Sequence, residues 1–215
     1  MIQFVKCCII LAVAGALVPA AATRGNVIFD FDTGTPVLTT NQHVPFWQTS
    51  DDITAHFNSP PRAFSVQNAD SMSLISSQFS GNYLYTDHKG SVLDISFHCP
   101  LTGISLTFAT IELQDAEPPT AIILTARRNS SAGPCIGWAS AYGLRAGDTF
   151  PTGTLLFNSD GQWFNRVQIA IAPNQPLGAA AFIVDNITVT TVVPEPTSLI
   201  FLGVGAMGLF VRQRL

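Results

Sequence analysis

Asp185 is the residue whose place in the sequence most constrains the chemistry of this chain. It alternates with three apolar residues, Ile183, Ile187 and Val189. Because every second side chain of a β-strand points to one face, Asp185 is predicted to lie on the buried face of a strand. A buried carboxylate is costly unless it is hydrogen-bonded, paired or bound to a cation. Three explanations are open: N–H donors at a strand end or bulge, an ion pair with Arg166 or Arg145, or a bound cation.

Aromatic side chains are the second group that could act chemically, because a flat apolar ring suits the C–H surface of a pyranose. The candidates for such a stacking platform are Trp47, Trp138 and Trp163, with Tyr83, Tyr85 and Tyr142 beside them. The competing interpretation is structural, since most aromatic residues of a domain this size pack in or against the core.

Motifs that would indicate catalysis are absent from the sequence. It has no G-x-S-x-G, no H-E-x-x-H and no phosphate-binding glycine loop, and its histidines lack zinc-ligand spacing. Glycoside hydrolysis needs two acids across the scissile bond. Glu112, Asp115 and Glu117 precede two prolines and are more typical of an exposed turn. We therefore predict a protein that is not an enzyme.

The last residues of the chain form three parts in a fixed order. A Pro-Glu-Pro triplet at 194–196 is followed by an uncharged apolar run at 197–211 and a basic tail at 212–215. As a helix the run would rise roughly 22 Å, less than the ~30 Å hydrocarbon core of a bilayer. It could span a membrane with local thinning or with snorkelling of its arginines, which belong on the cytoplasmic side. A buried helix of a soluble domain is the alternative, but the run lacks a polar stripe.

This block resembles the PEP-CTERM sorting signal of exported proteins of Gram-negative bacteria. The residues that match its motif and basic tail are Val193, Pro194, Glu195, Pro196, Arg212 and Arg214. The resemblance implies a signal over 193–215 whose transmembrane segment holds the precursor transiently in the inner membrane. It also implies an exosortase partner, removal of the anchor, and release or attachment at the cell surface.

The beginning of the chain also predicts export. Lys6 is followed by an apolar run at 7–18 and then by three alanines that end at Ala22. This order is typical of a secretory signal peptide at 1–22, cleaved between Ala22 and Thr23, and it implies passage through the Sec translocon. Because exported proteins fold in an oxidising compartment, a disulfide between Cys99 and Cys135 is expected, with two separate buried thiols as the alternative.

The remaining residues, 23–192, have the length of one domain with a substantial core. Between positions 24 and 193 there are seven basic and thirteen acidic residues. This mildly acidic balance disfavours nucleic acid and anionic membrane surfaces as partners.

Apolar residues in this domain recur with a period of two. The clearest alternation is at Leu93, Ile95 and Phe97 and again at Ile104, Leu106 and Phe108, with a predicted turn at 100–103 between them. Many short strands separated by Gly and Pro turns indicate an all-β fold, an antiparallel β-sandwich.

The first and last strands of this domain, at 26–32 and 182–189, resemble those of jelly-roll domains of the galactose-binding-like and carbohydrate-binding type. The resemblance implies a structural Ca²⁺ held by the last-strand Asp185 near the first strand. Asp30 and Asp32 are then the natural additional ligands, because Ca²⁺ prefers carboxylate and carbonyl oxygens.

Together these features predict an exported, non-catalytic protein of the cell surface or exopolysaccharide matrix, with a carbohydrate-binding-like β-sandwich. The alternative is a structural or adhesive envelope protein that contacts other proteins and binds no glycan.

Overall fold

The structure is a computed structural model that describes residues 24–60, 62–86, 88, 90–112, 119–173 and 181–192. The predicted signal peptide, its cleavage site at Ala22 and Thr23, and the sorting signal at 193–215 lie outside the described residues. No helix within the described ranges is long and apolar enough to cross a membrane. Arg24–Val193 form one compact unit. A compact unit with its own core is expected to fold by itself.

The described residues form eleven strands and one short 3₁₀ helix, Ala69–Ser71. The strands are β1 Arg24–Phe29, β2 Phe46–Ser50, β3 Ile53–Asn58, β4 Phe64–Asn68, β5 Asn82–Thr86, β6 Leu93–Thr110, β7 Ala121–Arg127, β8 Cys135–Tyr142, β9 Thr152–Asn158, β10 Phe164–Ile171 and β11 Phe182–Val192. All their pairings are antiparallel, which confirms the predicted all-β class.

The long strand β6 belongs to two sheets. Its first part, 93–97, pairs with β3 and β10, and its second part, 101–110, pairs with β9 and β11. The front sheet therefore has the order β2-β3-β6-β10-β7-β8. The back sheet has the order β4-β5-β11-β6-β9, with β1 beside the second half of β11.

The turn predicted at 100–103 is wrong, because β6 runs through it as a bulged strand. Ser96 of β6 pairs with Arg166 of β10, and the next paired residue of β6 is Leu101, which is opposite Phe164. The two pairs are therefore five residues apart along β6 but only two apart along β10. Pro100 lies within this bulge, where its missing N–H removes no ladder hydrogen bond.

The core lies between the inner faces of the two sheets and confirms the predicted sandwich. All six residues of the alternating pattern in β6 are buried. They pack in one cluster with a set of fully buried phenylalanines: Phe29, Phe31, Phe57, Phe64, Phe108, Phe164 and Phe182. Burying one such side chain contributes about 1.5–3 kcal/mol, so this cluster is the main source of stability.

The expected disulfide is wrong, since Cys99 and Cys135 both carry free thiols. Cys99 lies in the bulge of β6, and Cys135 begins β8, opposite Arg127. Two strands, β10 and β7, separate β6 from β8. At about 4.8 Å per strand the cysteines are about 14 Å apart, whereas a disulfide needs Cα atoms within about 7 Å. Burial raises the pKa of the Cys99 thiol, whereas Cys135 is exposed.

Candidate functional site

A continuous row of polar and aromatic side chains crosses the outward face of the front sheet. Residues directly opposite one another in antiparallel strands share a face. The register places five residues of β2, β3, β6, β10 and β7 in this row: Trp47, His56, Ser96, Arg166 and Arg127. We call this surface the front face. The opposite, inward side of the same strands belongs to the core.

Asp94 and Arg166 form a two-pronged ion pair at the centre of the front face. Arg166 Nε donates to Asp94 Oδ1 at 2.7 Å and its Nη2 donates to Oδ2 at 2.6 Å. Gln168 Nε2 also donates to Oδ2, at 3.4 Å. Because the carboxylate of Asp94 is 10% exposed and accepts on both oxygens, it holds the guanidinium in one orientation.

A pocket of about 660 Å³ lies over this pair. Asp94, Arg166 and Gln168 line it from the front sheet. Strand β3 contributes its last residue, Asn58, the loop before β6 contributes His88 and Ser91, and the β7–β8 loop contributes Ser131. The pocket therefore offers several polar groups that can form hydrogen bonds, beside apolar surface to which Pro60 and Val92 contribute.

Trp47 of β2 lies on the same front face as the pocket. Its ring stacks on that of His56 with centroids 4.1 Å apart and an angle of 24° between the planes. The Trp47 side chain is nevertheless 56% exposed, so it remains available to a ligand. Burial and then the charge of Arg166 lower the pKa of His56, against an opposing effect of Asp94. The imidazole is therefore neutral at neutral pH, and it stacks on one face of the indole of Trp47.

The other two predicted platform residues have different surroundings. Trp138 of β8 lies opposite Thr125 on the front face, at the far edge of the sheet, and is 65% exposed. Trp163 is partly buried and is covered by the guanidinium of Arg128, 4.3 Å from its ring centroid. The structure therefore places Trp47 and Trp138 on one surface and leaves Trp163 outside it. A role for any of them in ligand binding stays a prediction.

Asp185 is fully buried, as the sequence predicted, but on the other face of its strand from Ile187 and Val189. Asp185 pairs with Thr107 and Thr188 with Ser105, so β11 contains one extra residue there. Asn186 adopts a left-handed conformation at this bulge, with φ 50°. A bulge moves the side chains that follow it to the opposite face of the strand. The common face predicted for Asp185, Ile187 and Val189 is therefore wrong.

Hydrogen bonds at this bulge satisfy the carboxylate of Asp185. Its Oδ1 accepts the N–H of Asn186 at 2.7 Å, and its Oδ2 accepts the side-chain amide of Asn186 at 3.1 Å. The ion pairs considered for it are not formed, since Arg166 binds Asp94 and Arg145 donates to the carbonyl oxygens of Glu112 and Thr149. Of the explanations open from the sequence, hydrogen bonding at a bulge is observed and the ion pairs are not, while the bound cation stays a prediction.

Asp30 and Asp32 lie near Asp185, because β1 pairs with β11. Burial raises the pKa of Asp185 to about 7, and the charges of Asp32 and Asp30 add to this effect. Asp32 Oδ1 accepts the N–H of Asn82 at 2.9 Å, and Asp30 Oδ1 accepts the N–H of Thr33 at 2.8 Å. The three aspartates are therefore close enough for the charges of Asp30 and Asp32 to act on Asp185.

The carboxylates of this group do not make a complete metal site. Among the described residues, no three Asp, Glu, His or Cys side chains are arranged so that they could hold a metal ion. Ca²⁺ takes six to eight oxygen ligands, including main-chain carbonyls. The three aspartates fit such an ion only if main-chain oxygen atoms complete the set.

Comparison with protein families identifies the end of the chain. Residues 192–214 match the PEP-CTERM protein-sorting motif. The chain carries a PEP-CTERM sorting signal. The match covers the Pro-Glu-Pro triplet, the apolar run and the arginines of the basic tail, and it confirms the resemblance seen in the sequence. It covers about a tenth of the chain and leaves the β-sandwich unassigned. A comparison with curated proteins found no match.

Several solved structures resemble the sandwich. The K2 cleaved adhesin domain of Lys-gingipain has 10% identity and a TM-score of 0.49, covering 78% of this chain and 100% of its own. CsCBM6-3 from Clostridium stercorarium, solved with cellobiose, has 12% identity and a TM-score of 0.37, covering 72% and 94%. A β-1,3-glucan binding CBM6 from Bacillus halodurans has 12% identity and a TM-score of 0.36, covering 60% and 86%. At these identities and TM-scores, we infer no function from the similarity.

Proposed function

We propose that this protein is a non-catalytic, carbohydrate-binding protein that is exported and sorted to the cell surface. Its ligand is a polysaccharide, which it binds on the front face of the sandwich. The observation that carries this proposal is the pocket over Asp94 and Arg166, with the exposed Trp47 on the same face of the sheet.

The two parts of this surface match the two parts of a sugar. A pyranose has an apolar C–H surface that stacks on an aromatic ring, and hydroxyl groups at its rim that need hydrogen-bonding partners. Trp47 offers the ring, and His56 stacks on it. Asn58, Gln168 and Arg166 offer amide and guanidinium groups in the pocket. A few placed polar groups beside an aromatic surface are typical of small-molecule and cofactor sites.

The acid content of the pocket supports binding without catalysis. Hydrolysis of a glycosidic bond needs two carboxyl groups that flank the bond. Asp94 is the only carboxylic acid among the described residues that line the pocket, and both its oxygens already accept from Arg166. In the described part of the chain, the pocket therefore has no second acid, and Asp94 has no oxygen that is free for proton transfer.

The sorting signal supports export of this domain. We propose that the chain crosses the inner membrane through the Sec translocon and is held there by the segment 197–211. An exosortase then removes this anchor, and the mature domain remains at the surface or in the exopolysaccharide matrix of a Gram-negative cell.

We also propose a structural Ca²⁺ beside Asp185, with Asp30 and Asp32 as further ligands. The support is electrostatic: three aspartates lie close together, and Asp185 is fully buried. Within the described residues, the one carboxylate–guanidinium ion pair is elsewhere, at Asp94. Melting curves of residues 24–192 with Ca²⁺ and with EGTA test this proposal. An unchanged midpoint would exclude the ion.

A specific observation favours the alternative, an adhesive protein that contacts other proteins. Large apolar side chains are exposed on and just beyond β8 and on β9: Trp138, Tyr142, Leu144 and Leu156. Such residues are enriched where proteins bind one another.

Retention of residues 24–192 on immobilised polysaccharides distinguishes the two functions. We expect retention on at least one polysaccharide, and we expect Trp47→Ala to reduce it. Retention on none, together with capture of surface proteins that Trp138→Ala abolishes, would replace carbohydrate binding with the adhesive function.

A further inference from the structure

Two arginines lie side by side on the front face. Arg127 of β7 is directly opposite Arg166 of β10. Like charges in this arrangement repel each other and destabilise the sheet. Asp94 compensates only one of them, because its two oxygens are taken by Arg166. Among the described residues, this part of the front face therefore carries two guanidinium groups and one carboxylate, although the whole chain has a net charge of −4.

Arg127 has few partners of its own. Among the described residues, the one hydrogen bond of its side chain runs from Nη1 to the carbonyl oxygen of Gly133 at 3.0 Å. Its Nε is buried and has no hydrogen-bond partner there. Buried N–H groups are normally paired, so the hydrogen bonding of this guanidinium is incomplete, and its charge has no carboxylate partner among the described residues.

The pairing of Arg166 also leaves donors for a ligand. Nε and Nη2 bind Asp94, which leaves Nη1 without a hydrogen-bond partner in the described part of the chain. A guanidinium has five N–H donors and binds planar carboxylates and sulfates better than it binds neutral hydroxyl groups. The fixed orientation of Arg166 means that little side-chain freedom is lost when a ligand binds.

We propose that the pocket beside Arg166 and Arg127 binds negatively charged sugars, so that the ligand is an acidic polysaccharide. This inference rests on the proposed carbohydrate-binding function and specifies its ligand class. A carboxylate or sulfate group on the sugar supplies the negative charge that Asp94 cannot give to both arginines. A neutral sugar leaves the positive charge of the second arginine uncompensated.

The test compares polymers that differ mainly in charge. Residues 24–192 are titrated with polygalacturonate and with its methyl-esterified, neutral form. Dextran sulfate and dextran form the second pair, which distinguishes a sulfate from a carboxylate as the recognised group. We expect at least one acidic polymer to bind roughly tenfold more tightly than its neutral match, as charge-assisted hydrogen bonds require. The preference should weaken as salt is added.

Two substitutions of Arg127 show whether this residue is responsible. Arg127→Gln removes the charge and should abolish the preference for the acidic polymer, while Arg127→Lys keeps the charge and should retain it. If Arg127→Gln does not fold, Ser131→Glu at the exposed pocket wall adds a negative charge and should abolish the preference equally.

The outcomes separate this inference from the function on which it rests. Equal binding of acidic and neutral polymers overturns the inference and leaves carbohydrate binding intact. An acidic preference that persists in Arg127→Gln also overturns it. Binding of no polysaccharide overturns both.

Discussion

Asp94 accepts both Nε and Nη2 of Arg166, at 2.7 and 2.6 Å, across two neighbouring strands of the front sheet. The two residues are 72 positions apart in the sequence, and they meet because the register pairs Gln168 with Asp94 and Arg166 with Ser96. Their side chains are 10% and 24% exposed. The ion pair thus lies at the boundary between the sheet and the pocket, and it links the fold to the proposed binding surface.

Removing the carboxylate of this pair should destabilise the domain. In Asp94→Asn the guanidinium of Arg166 loses its counter-charge while it remains largely covered, and Arg127 is still beside it. We expect a loss of about 2 kcal/mol in the free energy of unfolding, measured with urea. Asp160→Asn removes an exposed aspartate in a turn and serves as the control. Equal losses in both variants would show that the pair contributes no specific stability.

Stability should depend on pH through Asp185. Its pKa in the folded state, about 7, lies above the unfolded value of 3.8, so the folded state keeps a proton that the unfolded chain has lost. For this group, stability is highest below pH 3.8 and falls as the pH rises through 7, by on the order of 4 kcal/mol. In EGTA, Asp185→Asn should flatten the slope of the free energy of unfolding against pH. It should also raise the melting temperature at pH 8. Asp70→Asn, at an exposed position, should leave the slope unchanged. A slope that survives in Asp185→Asn would contradict the assignment.

Gly81 should not tolerate a side chain. It has φ 67°, and a Cβ there would lie 2.0 Å from Oδ2 of Asp32. Gly147 has a similar φ of 62° but no atom within 4 Å of its Cβ position. Gly147→Ala should therefore cost about 1 kcal/mol of folding free energy from backbone strain alone. Gly81→Ala should cost clearly more folding free energy than Gly147→Ala. Urea unfolding of each variant measures both costs. Equal costs would show that Asp32 is not held against Gly81.

Reducing agents should leave the stability of the domain unchanged, because Cys99 and Cys135 are free thiols on strands that are not neighbours. We expect identical melting temperatures with and without dithiothreitol. Iodoacetamide should label Cys135 first, since Cys99 is partly buried and its pKa is raised. A lower melting temperature after reduction would reveal a disulfide.

Sequence periodicity predicted the parts of the fold in which one face of a strand is apolar. Leu93, Ile95 and Phe97 alternate cleanly and are buried as expected. Strand β8 escaped prediction, because its side chains are exposed or half-buried on both faces and small residues such as Gly137 and Ala139 give no contrast. Which strands are neighbours depends on packing across the whole chain, and no local pattern contains that information.

The candidate site was predicted only in part for the same reason. The approach of Asp30 and Asp32 to Asp185 could be predicted, since the first and last strands were expected to lie together. The bulge at Asn186 could not, because a single inserted residue leaves the apolar pattern ambiguous. The pair between Asp94 and Arg166 joins two polar positions of otherwise apolar strands. The sequence suggested Arg166 only as a partner of Asp185 and did not single out Asp94, because no local pattern shows which polar residues of different strands meet.

The most direct test of the account is the binding of polysaccharides by residues 24–192 and by two variants, Trp47→Ala and Leu156→Ala. Both remove an exposed apolar side chain, one on the front face and one on the outer face of the back sheet. The account predicts that Trp47→Ala weakens binding roughly tenfold and that Leu156→Ala leaves it unchanged. Equal binding by the wild-type domain and Trp47→Ala, or a loss only in Leu156→Ala, would contradict it.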